Sequence, residues 1–331
     1  MPLLNANALT LADWAKRLDP NGKVPSIVEL LSQTNEILMD QIWMEGNLPT
    51  GHRTTVRTGL PAVAWRLLNQ GVQPSKSTTA QIDESVGMLE AWSEVDKDLA
   101  MLNGNTSAFR LSEAQAFIEA MNQEMASTLF YGNSGLTPEE FTGLAVRYSD
   151  PAATNGSNVI DQGGSGADNS SIWLVVWGAN TIHGIFPKGS KAGLIHEDMG
   201  EVTVETTAGI AGTRMRAYQD RWQWKCGIAL RDWRYVVRIG SIDISDLLGA
   251  TPPDITESMI KAIHRIPNLR LGKPVFYMNR TVFQQLDIAR RDTVISGGGI
   301  TFDNVDGKIQ YSFRGIPIRH CDALTQTEAL V

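Results

Sequence analysis

The sequence predicts an α+β fold in which short capped helices and an extended β-hairpin accompany a compact mixed part. Three observations lead to this prediction. The first 48 residues carry separate short helical patterns, and the hydrophobic period then changes to two between residues 51 and 95. Long alternating strands follow one dominant helix, and residues 251–331 run helix, strand, helix and strand.

Residues 1–48 are predicted to form an arm with helix caps at Thr10, Ser26 and Thr34, the last opening a helix from Asn35 to Trp43. Helices of two to three turns are marginal in water, so their apolar stripes need a surface to pack against. Another subunit is one such surface.

Residues 49–95 are predicted to form a long hairpin. Its strands are Thr55–Thr58 with Ala62–Leu68 on one side and Thr79–Glu84 on the other, and Gln73–Ser77 is a turn-rich tip. The flanks hold few large apolar residues, and a two-stranded ribbon is unstable alone. We therefore expect it to lie on a neighbour or on its parent domain.

Residues 96–150 contain the clearest helix, from Glu113 to about Tyr131, which Ser112 caps and Gly132 ends. It has apolar residues at helical spacing and a predicted length of roughly 30 Å. A second, short helix is expected to begin at Pro138 and run toward Val146.

Residues 151–250 are predicted to combine an exposed loop with long strands. The loop covers residues 150–171 and has turn composition. Three segments follow with strand patterns, of which the first is continuously apolar and the others alternate: Ile172–Trp177, Glu201–Glu205 and Arg221–Leu230. The alternation changes phase after Leu230, which indicates a turn or bulge near Asp232.

Residues 251–331 are predicted to be a compact α/β unit. Asp254 opens a helix through Ile266, and Asn279 opens another to Arg291. The two predicted strands are Val275–Met278 and Ile316–Arg319.

The composition favours a folded protein made in a reducing compartment. The net charge of −7 argues against a dedicated nucleic-acid binder, which needs clustered Lys and Arg. The two cysteines, Cys226 and Cys321, are too few for a disulfide framework. Both are expected to be small buried apolar side chains. The first residues show no basic leader followed by an apolar run, which predicts synthesis in the cytoplasm and no membrane segment.

No catalytic or metal-binding set emerges from the sequence, so we expect no enzyme, cofactor or metal. None of the five histidines has metal-ligand spacing. His320-Cys321-Asp322 is the most tempting cluster, but neighbours on a strand point to opposite faces. The glycines of 296–299 could suggest a loop that binds an anion, but no GK[ST] motif follows them, so an ordinary loop is expected. Six arginines lie on strand faces, where the expected contact is water or, as the alternative, acidic groups of an adjoining subunit: Arg214, Arg216, Arg221, Arg231, Arg234 and Arg238.

These parts together resemble the major capsid proteins of tailed bacteriophages with the HK97-like fold, most closely those of short-tailed phages. The most specific local matches are LFYGNS at 129–134, PVFYMNR at 274–280 and FRGIPIRHCDAL at 313–324. The resemblance implies an N-terminal arm, an extended hairpin called the E-loop, a P-domain with a spine helix, and an A-domain over 251–331. The family's Gly-x-Pro-Val strand here lies sixteen residues from the end, which implies a rearranged connectivity.

The function implied by this resemblance is that of a coat protein that self-assembles into the icosahedral shell of a virion. The implied partners are further copies in hexamers and pentamers, a separate scaffolding protein and the portal. A decoration protein is left open, and packaged DNA is expected to be near without being bound. The resemblance also makes Lys76 a candidate for a covalent cross-link, although no partner matches.

We expect subunit contacts from side chains on the arm and the hairpin. The expected contact residues are Trp14, Trp43, Trp65, Pro74, Lys76 and Ile82. Two other functions stay open, namely another ring-forming virion or tail protein and a small-molecule enzyme that uses the C-terminal α/β unit.

Overall fold

The computed structural model describes residues 32–102, 106–205, 214–249, 252–292, 300–305 and 308–331. The chain forms two compact units. Of the described residues, the first unit holds 32–35, 88–102, 106–127, 193–205 and 214–225, and the second holds 36–87, 128–192, 226–249, 252–292, 300–305 and 308–331.

The strands and helices of the described residues are numbered in chain order. The strands are β1 (Trp43–Glu45), β2 (Gly51–Gly59), β3 (Thr78–Ser85), β4 (Gly87–Asp96), β5 (Val159–Asp161), β6 (Asn169–Trp177), β7 (Ile182–Phe186), β8 (Leu194–Glu205), β9 (Arg214–Leu230), β10 (Val236–Asp243), β11 (Lys273–Met278), β12 (Ile300–Val305), β13 (Lys308–Phe313) and β14 (Ile316–His320). The helices are α1 (Ile37–Asp40), α2 (Lys97–Met101), α3 (Thr106–Tyr131), α4 (Leu144–Arg147), α5 (Ile244–Leu247), α6 (Ile255–Arg265) and α7 (Arg280–Asp292).

The second unit is built around strand β6, all of whose residues are buried. Strands β10 and β11 both pair with it antiparallel. Strand β14 adds to β11 in parallel, and β12 and β13 extend the same edge. The segment Ile172–Trp177 of β6 is apolar and covered on both faces, which confirms the prediction made from the continuous apolar run, while the first three residues of the strand are buried polar ones.

Helices α6 and α7 add to the core of the second unit. Met259 and Ala262 of α6 and Val282 and Leu286 of α7 join the buried cluster formed by the sheet. The predicted caps are confirmed, because Asp254 accepts a hydrogen bond from the Glu257 amide at 3.1 Å and Asn279 accepts one from the Thr281 amide at 2.9 Å. Each satisfies an amide that a helix start leaves without an intrahelical partner.

Strands β2 and β3 form a separate two-stranded sheet, so the predicted hairpin is confirmed. Their register runs from Gly51 opposite Ser85 to Gly59 opposite Thr78. The strand predicted over Ala62–Leu68 is wrong, because residues 60–77 have no strand structure. A strand needs backbone partners, and the described residues show no strand pairing over 60–77; the Ser75 hydroxyl, a side chain, bonds the Ala62 carbonyl.

Helix α3 is longer than predicted. It spans 26 residues, because Ser112 lies inside the helix and its hydroxyl donates to the carbonyl of Phe109 at 2.8 Å instead of capping an end. Its predicted end is confirmed. A Cβ at Gly132 would lie 2.5 Å from the Phe141 carbonyl oxygen, so only glycine fits this close approach.

The first unit pairs β8 with β9 antiparallel, and β4 lies beside β9. Phe117 of α3 stacks on Trp222 of β9 with 5.2 Å between ring centroids. Val95, Ala100 and Phe109 form a small buried cluster against Tyr218. The predicted strand over 221–230 is confirmed and extends back to Arg214.

Three further predictions are only partly right. The loop predicted over 150–171 contains β5 and the start of β6, because β5 pairs in parallel with β10. The helices predicted over 35–43 and toward Val146 shorten to single turns, α1 and α4.

The turn near Asp232 is confirmed, since a 3₁₀ helix spans Trp233–Tyr235. Among the described residues, no helix has both the length and the hydropathy that a bilayer crossing requires.

Candidate functional site

The His320-Cys321-Asp322 cluster has no catalytic geometry. The His320 ring packs edge-on against Phe283 with centroids 4.4 Å apart. Cys321 is fully buried, and this burial raises the pKa of its thiol to about 12. A nucleophile needs an accessible thiolate, which this environment opposes. Within the described ranges no group of three or more His, Cys, Asp or Glu side chains converges as a metal site would require; the glycines of 296–299 lie outside them.

The predicted arginine row is not one solvated face. Arg216 pairs with Glu201 at 2.7 Å, and Arg221 pairs with Glu90 at 2.8 Å. Arg238 is the clear departure, because its side chain is 5% exposed and it donates to Glu328 at 2.7 Å. Strand alternation could not indicate this burial, since Arg238 lies on β10, which is buried on both faces.

Arg238 and Glu328 belong to a buried polar network in the second unit. Arg238 also donates to the Tyr148 carbonyl and to the Ser171 hydroxyl, each at 3.0 Å. The Tyr131 hydroxyl and the Ser171 hydroxyl donate to the Glu328 carboxylate. A cavity of about 380 Å³ opens beside this network and is lined partly by Val146 and Leu330. Because the charges satisfy one another, the network ties the C-terminal residues to the sheet.

The most exposed apolar surface of the described residues lies at the end of the hairpin, in residues 60–77, here named the tip segment. Every residue from 60 to 83 is exposed. The Trp65 side chain is 104% exposed, and other large apolar side chains are more than two-thirds exposed: Leu60, Val63, Leu67 and Leu68. Soluble monomers rarely display apolar side chains in such a run, which therefore indicates a contact surface.

The tip segment is also basic. It contains Arg66 and Lys76 and no acidic residue. Its conformation depends on few internal bonds, among them the Ser75 hydroxyl donating to the Ala62 carbonyl at 2.7 Å. Asn69 has φ +64°, a left-handed conformation that asparagine tolerates. The surface therefore combines apolar and cationic groups on a weakly supported loop.

The structure brings three of the six predicted contact residues together. Trp65, Pro74 and Lys76 all lie exposed in the tip segment, and Ile82 is 39% exposed on β3. Trp43 is half-buried on β1 and packs near Gly184 of β7. Trp14 lies outside the described residues.

The other end of the hairpin is anchored by a buried ion pair. The guanidinium of Arg147 donates to both carboxylate oxygens of Glu84, at 2.7 and 2.5 Å. The Glu84 side chain is only 7% exposed. The sequence did not predict this contact. Glu84 follows a run of exposed residues on β3, and the alternation of polar and apolar residues does not indicate that its side chain is the buried one.

Replacing Arg147 by Ala is expected to loosen the hairpin root. The change leaves the Glu84 carboxylate buried without its partner, which typically costs about 3–5 kcal/mol. Hydrogen exchange at the amides of β2 and β3 next to the root measures the loss. Arg53→Ala is the matched control, since the Arg53–Asp83 pair on the same ribbon is exposed and its loss has little effect. Equal exchange in both variants would contradict the assignment.

Comparisons with known proteins place the chain beside phage proteins. The family model described as major capsid protein GP7 matches residues 19–331. A chain in the near-atomic cryo-EM structure of bacteriophage epsilon15 is 31% identical, with a TM-score of 0.76, over 100% of this chain and 99% of that chain. The bacteriophage JBD30 capsid is 10% identical, with a TM-score of 0.47, over 89% of this chain and 92% of that chain. No curated protein sequence matches the chain significantly.

Proposed function

This chain belongs to the family of major capsid proteins described as GP7, and from that premise we propose that its hairpin tip holds neighbouring subunits of the shell together. The protein is a phage coat protein with the HK97-like fold that assembles into an icosahedral shell. It is a component of the virion capsid and a structural protein.

The observation that carries the proposal is the exposure of the tip segment. Burying a Leu or Val side chain yields about 1.5–3 kcal/mol, and an aromatic anchor such as Trp65 often dominates an interface. Each contact can be weak, because many identical contacts act together in a closed shell. Contacts between unlike surfaces of identical subunits close into rings, as the capsomers of a shell require.

We also propose that the chain divides into the parts of this fold as follows. Residues 1–48 act as the arm, 49–95 as the E-loop, and 96–150 as the spine helix with part of the P-domain. Residues 151–250 supply the long strands, and 251–331 form the A-domain. Trp14, Trp43 and Ile82 are proposed to support the contacts that Trp65, Pro74 and Lys76 make at the tip.

The proposed partners are further copies, in hexamers and pentamers, together with a separate scaffolding protein and the portal. A decoration protein on the outside is an additional candidate. The net charge of −7 supports a wall that encloses DNA without binding it tightly. Synthesis in the host cytoplasm belongs to the same proposal.

The double variant Trp65→Ser/Leu68→Ser tests the contact. It removes two exposed apolar side chains and no described intrachain hydrogen bond, so the subunit should fold while shell yield falls at least about tenfold. Negative-stain electron microscopy and sedimentation of the expressed protein measure that yield. Leu136→Ser is the control, because Leu136 is 83% exposed and lies outside the hairpin.

Three outcomes would contradict the proposal. Normal shells from the double variant would show that the tip is not part of the interface. A fixed ring as the only product of the unaltered chain would favour a tail component, and a small compact oligomer would favour the enzyme alternative.

A further inference from the structure

The root of the hairpin holds two buried histidines that link its first strand to the sheet of the second unit. His52 of β2 is 6% exposed, and His183 of β7 is fully buried. Their rings meet edge to face with centroids 5.8 Å apart. Nδ1 of His52 and both ring nitrogens of His183 lack a well-aligned hydrogen-bond partner among the described residues. Among the described residues, the Gly178 backbone favours a proton on His183, but more weakly than burial and the charge of Arg231 oppose it, and no carboxylate bonds either ring.

A permanent positive charge lies beside this pair. Nη2 of Arg231 is 3.4 Å from Nε2 of His52. The described residues give Arg231 no carboxylate partner, and its Nη1 donates to the Ala179 carbonyl at 3.1 Å. The acidic group that acts on His52 is Glu84 of β3, which is held by Arg147. Two other acids on these elements are engaged elsewhere, since Asp83 of β3 pairs with Arg53 and Glu45 of β1 accepts from the Gly189 amide at 2.8 Å. On the other side of β7, Trp43 of β1 contributes no charge.

We propose that the hairpin root is an acid-sensitive latch: neutral His52 and His183 hold the β2–β3 ribbon on the sheet, and their protonation beside Arg231 releases it. A second and third positive charge at this site meet the Arg231 guanidinium in a desolvated setting, where like charges repel strongly. The ribbon is the part that yields, because it is a two-stranded sheet whereas β7 is bound within the large one.

The pKa values of the two histidines set the pH range over which the latch opens. Burial, followed by the charges of Arg231 and His52, lowers the pKa of His183 to about 4, and burial with Arg231 lowers that of His52. A released histidine titrates near 6.5. Because the released form binds protons more readily, release becomes easier as the pH falls from about 6.5 toward 4. For His183 alone, if the released ring is fully hydrated, this linkage raises the release constant about 20-fold at pH 5 relative to pH 7.

Hydrogen exchange of the full-length unassembled chain at pH 7 and pH 5 tests the latch, after correction for the intrinsic pH dependence of exchange. Root amides of β2 and β3 should lose protection at pH 5 while those of β6 and β10 keep theirs. Arg231→Gln keeps both histidines but removes the fixed charge, so it should reduce the acid effect severalfold. His183→Gln should remove most of the effect, and His264→Gln on the exposed side of α6 should change nothing.

Unchanged protection of the root at pH 5 would overturn the latch, as would an equal acid effect in Arg231→Gln and the unaltered chain. Should His183→Gln fail to fold, Arg231→Gln still decides the question. The consequence for assembly rests on the proposed function of the tip, whereas the latch is measured on single subunits. A latch that opens in acid without altering shell formation would therefore count against the tip contact and not against the latch.

Discussion

Replacing residues 60–77 by Asn-Gly is expected to leave a folded subunit that builds no shells. Gly59 pairs with Thr78, so a two-residue turn can connect β2 directly to β3. Asn-Gly adopts the type I′ turn that fits such a hairpin. The removed residues are all exposed, and hence their loss costs the subunit little packing. A shorter loop also closes at a lower entropic cost, by about 0.6 kcal/mol for each halving of its length.

The effect on assembly should be much larger than the effect on stability. The change removes Trp65, Leu67 and Leu68, together with the basic groups Arg66 and Lys76, from each copy. Sucrose-gradient sedimentation with electron microscopy should find subunits or small oligomers and no shells, and thermal unfolding should show a midpoint close to that of the unaltered chain. A variant with an equally long Gly-Ser tip separates loop length from side-chain chemistry and should also fail. Normal particles from either variant would contradict the contact.

The parts of the fold that the sequence predicted are those in which local chemistry and burial agree. The segment Ile172–Trp177 of β6 is apolar and covered on both faces, and a continuous apolar run indicates that condition directly. The helices opened by Asp254 and Asn279 were predictable because a cap is a contact between residues two or three positions apart. Helix α3 shows the limit, since Ser112 has the sequence of a cap but bonds back within the helix.

The errors and omissions come from contacts between distant positions. Residues 62–68 alternate as a strand would, yet no partner strand lies beside them, and the same side chains form the exposed tip. Glu84 and Arg147 are 63 positions apart, and Arg238 and Glu328 are 90 apart. Nothing local distinguishes these charges from solvated ones. The exposure of the tip was predictable because turn composition and sparse apolar flanks are local features, whereas the ion pair that anchors the root was not.

Removing the carboxylate of Glu328 is expected to cause the largest loss of stability in the second unit. Arg238 and Glu328 are 5% and 3% exposed, and the guanidinium also lies 5.3 Å from the ring centre of Trp173. Glu328→Ala leaves that guanidinium buried and unpaired, and also leaves the Tyr131 and Ser171 hydroxyls without their acceptor. The expected cost is about 3–5 kcal/mol, a large fraction of the stability of a typical protein.

Two further variants separate the charge from the packing in this network. Glu328→Gln keeps the size and one acceptor oxygen but removes the charge, so its cost should be smaller than that of Glu328→Ala. The double variant Arg238→Met/Glu328→Leu removes both charges and fills the space, so it should recover much of the loss, since well-packed apolar pairs often match a buried ion pair. Urea unfolding of unassembled subunits, followed by tryptophan fluorescence because Trp173 lies at the network, measures all three. If Glu328→Ala costs no more than an exposed substitution, or if the double variant is no better than Glu328→Ala alone, then the unpaired guanidinium is not the origin of the loss.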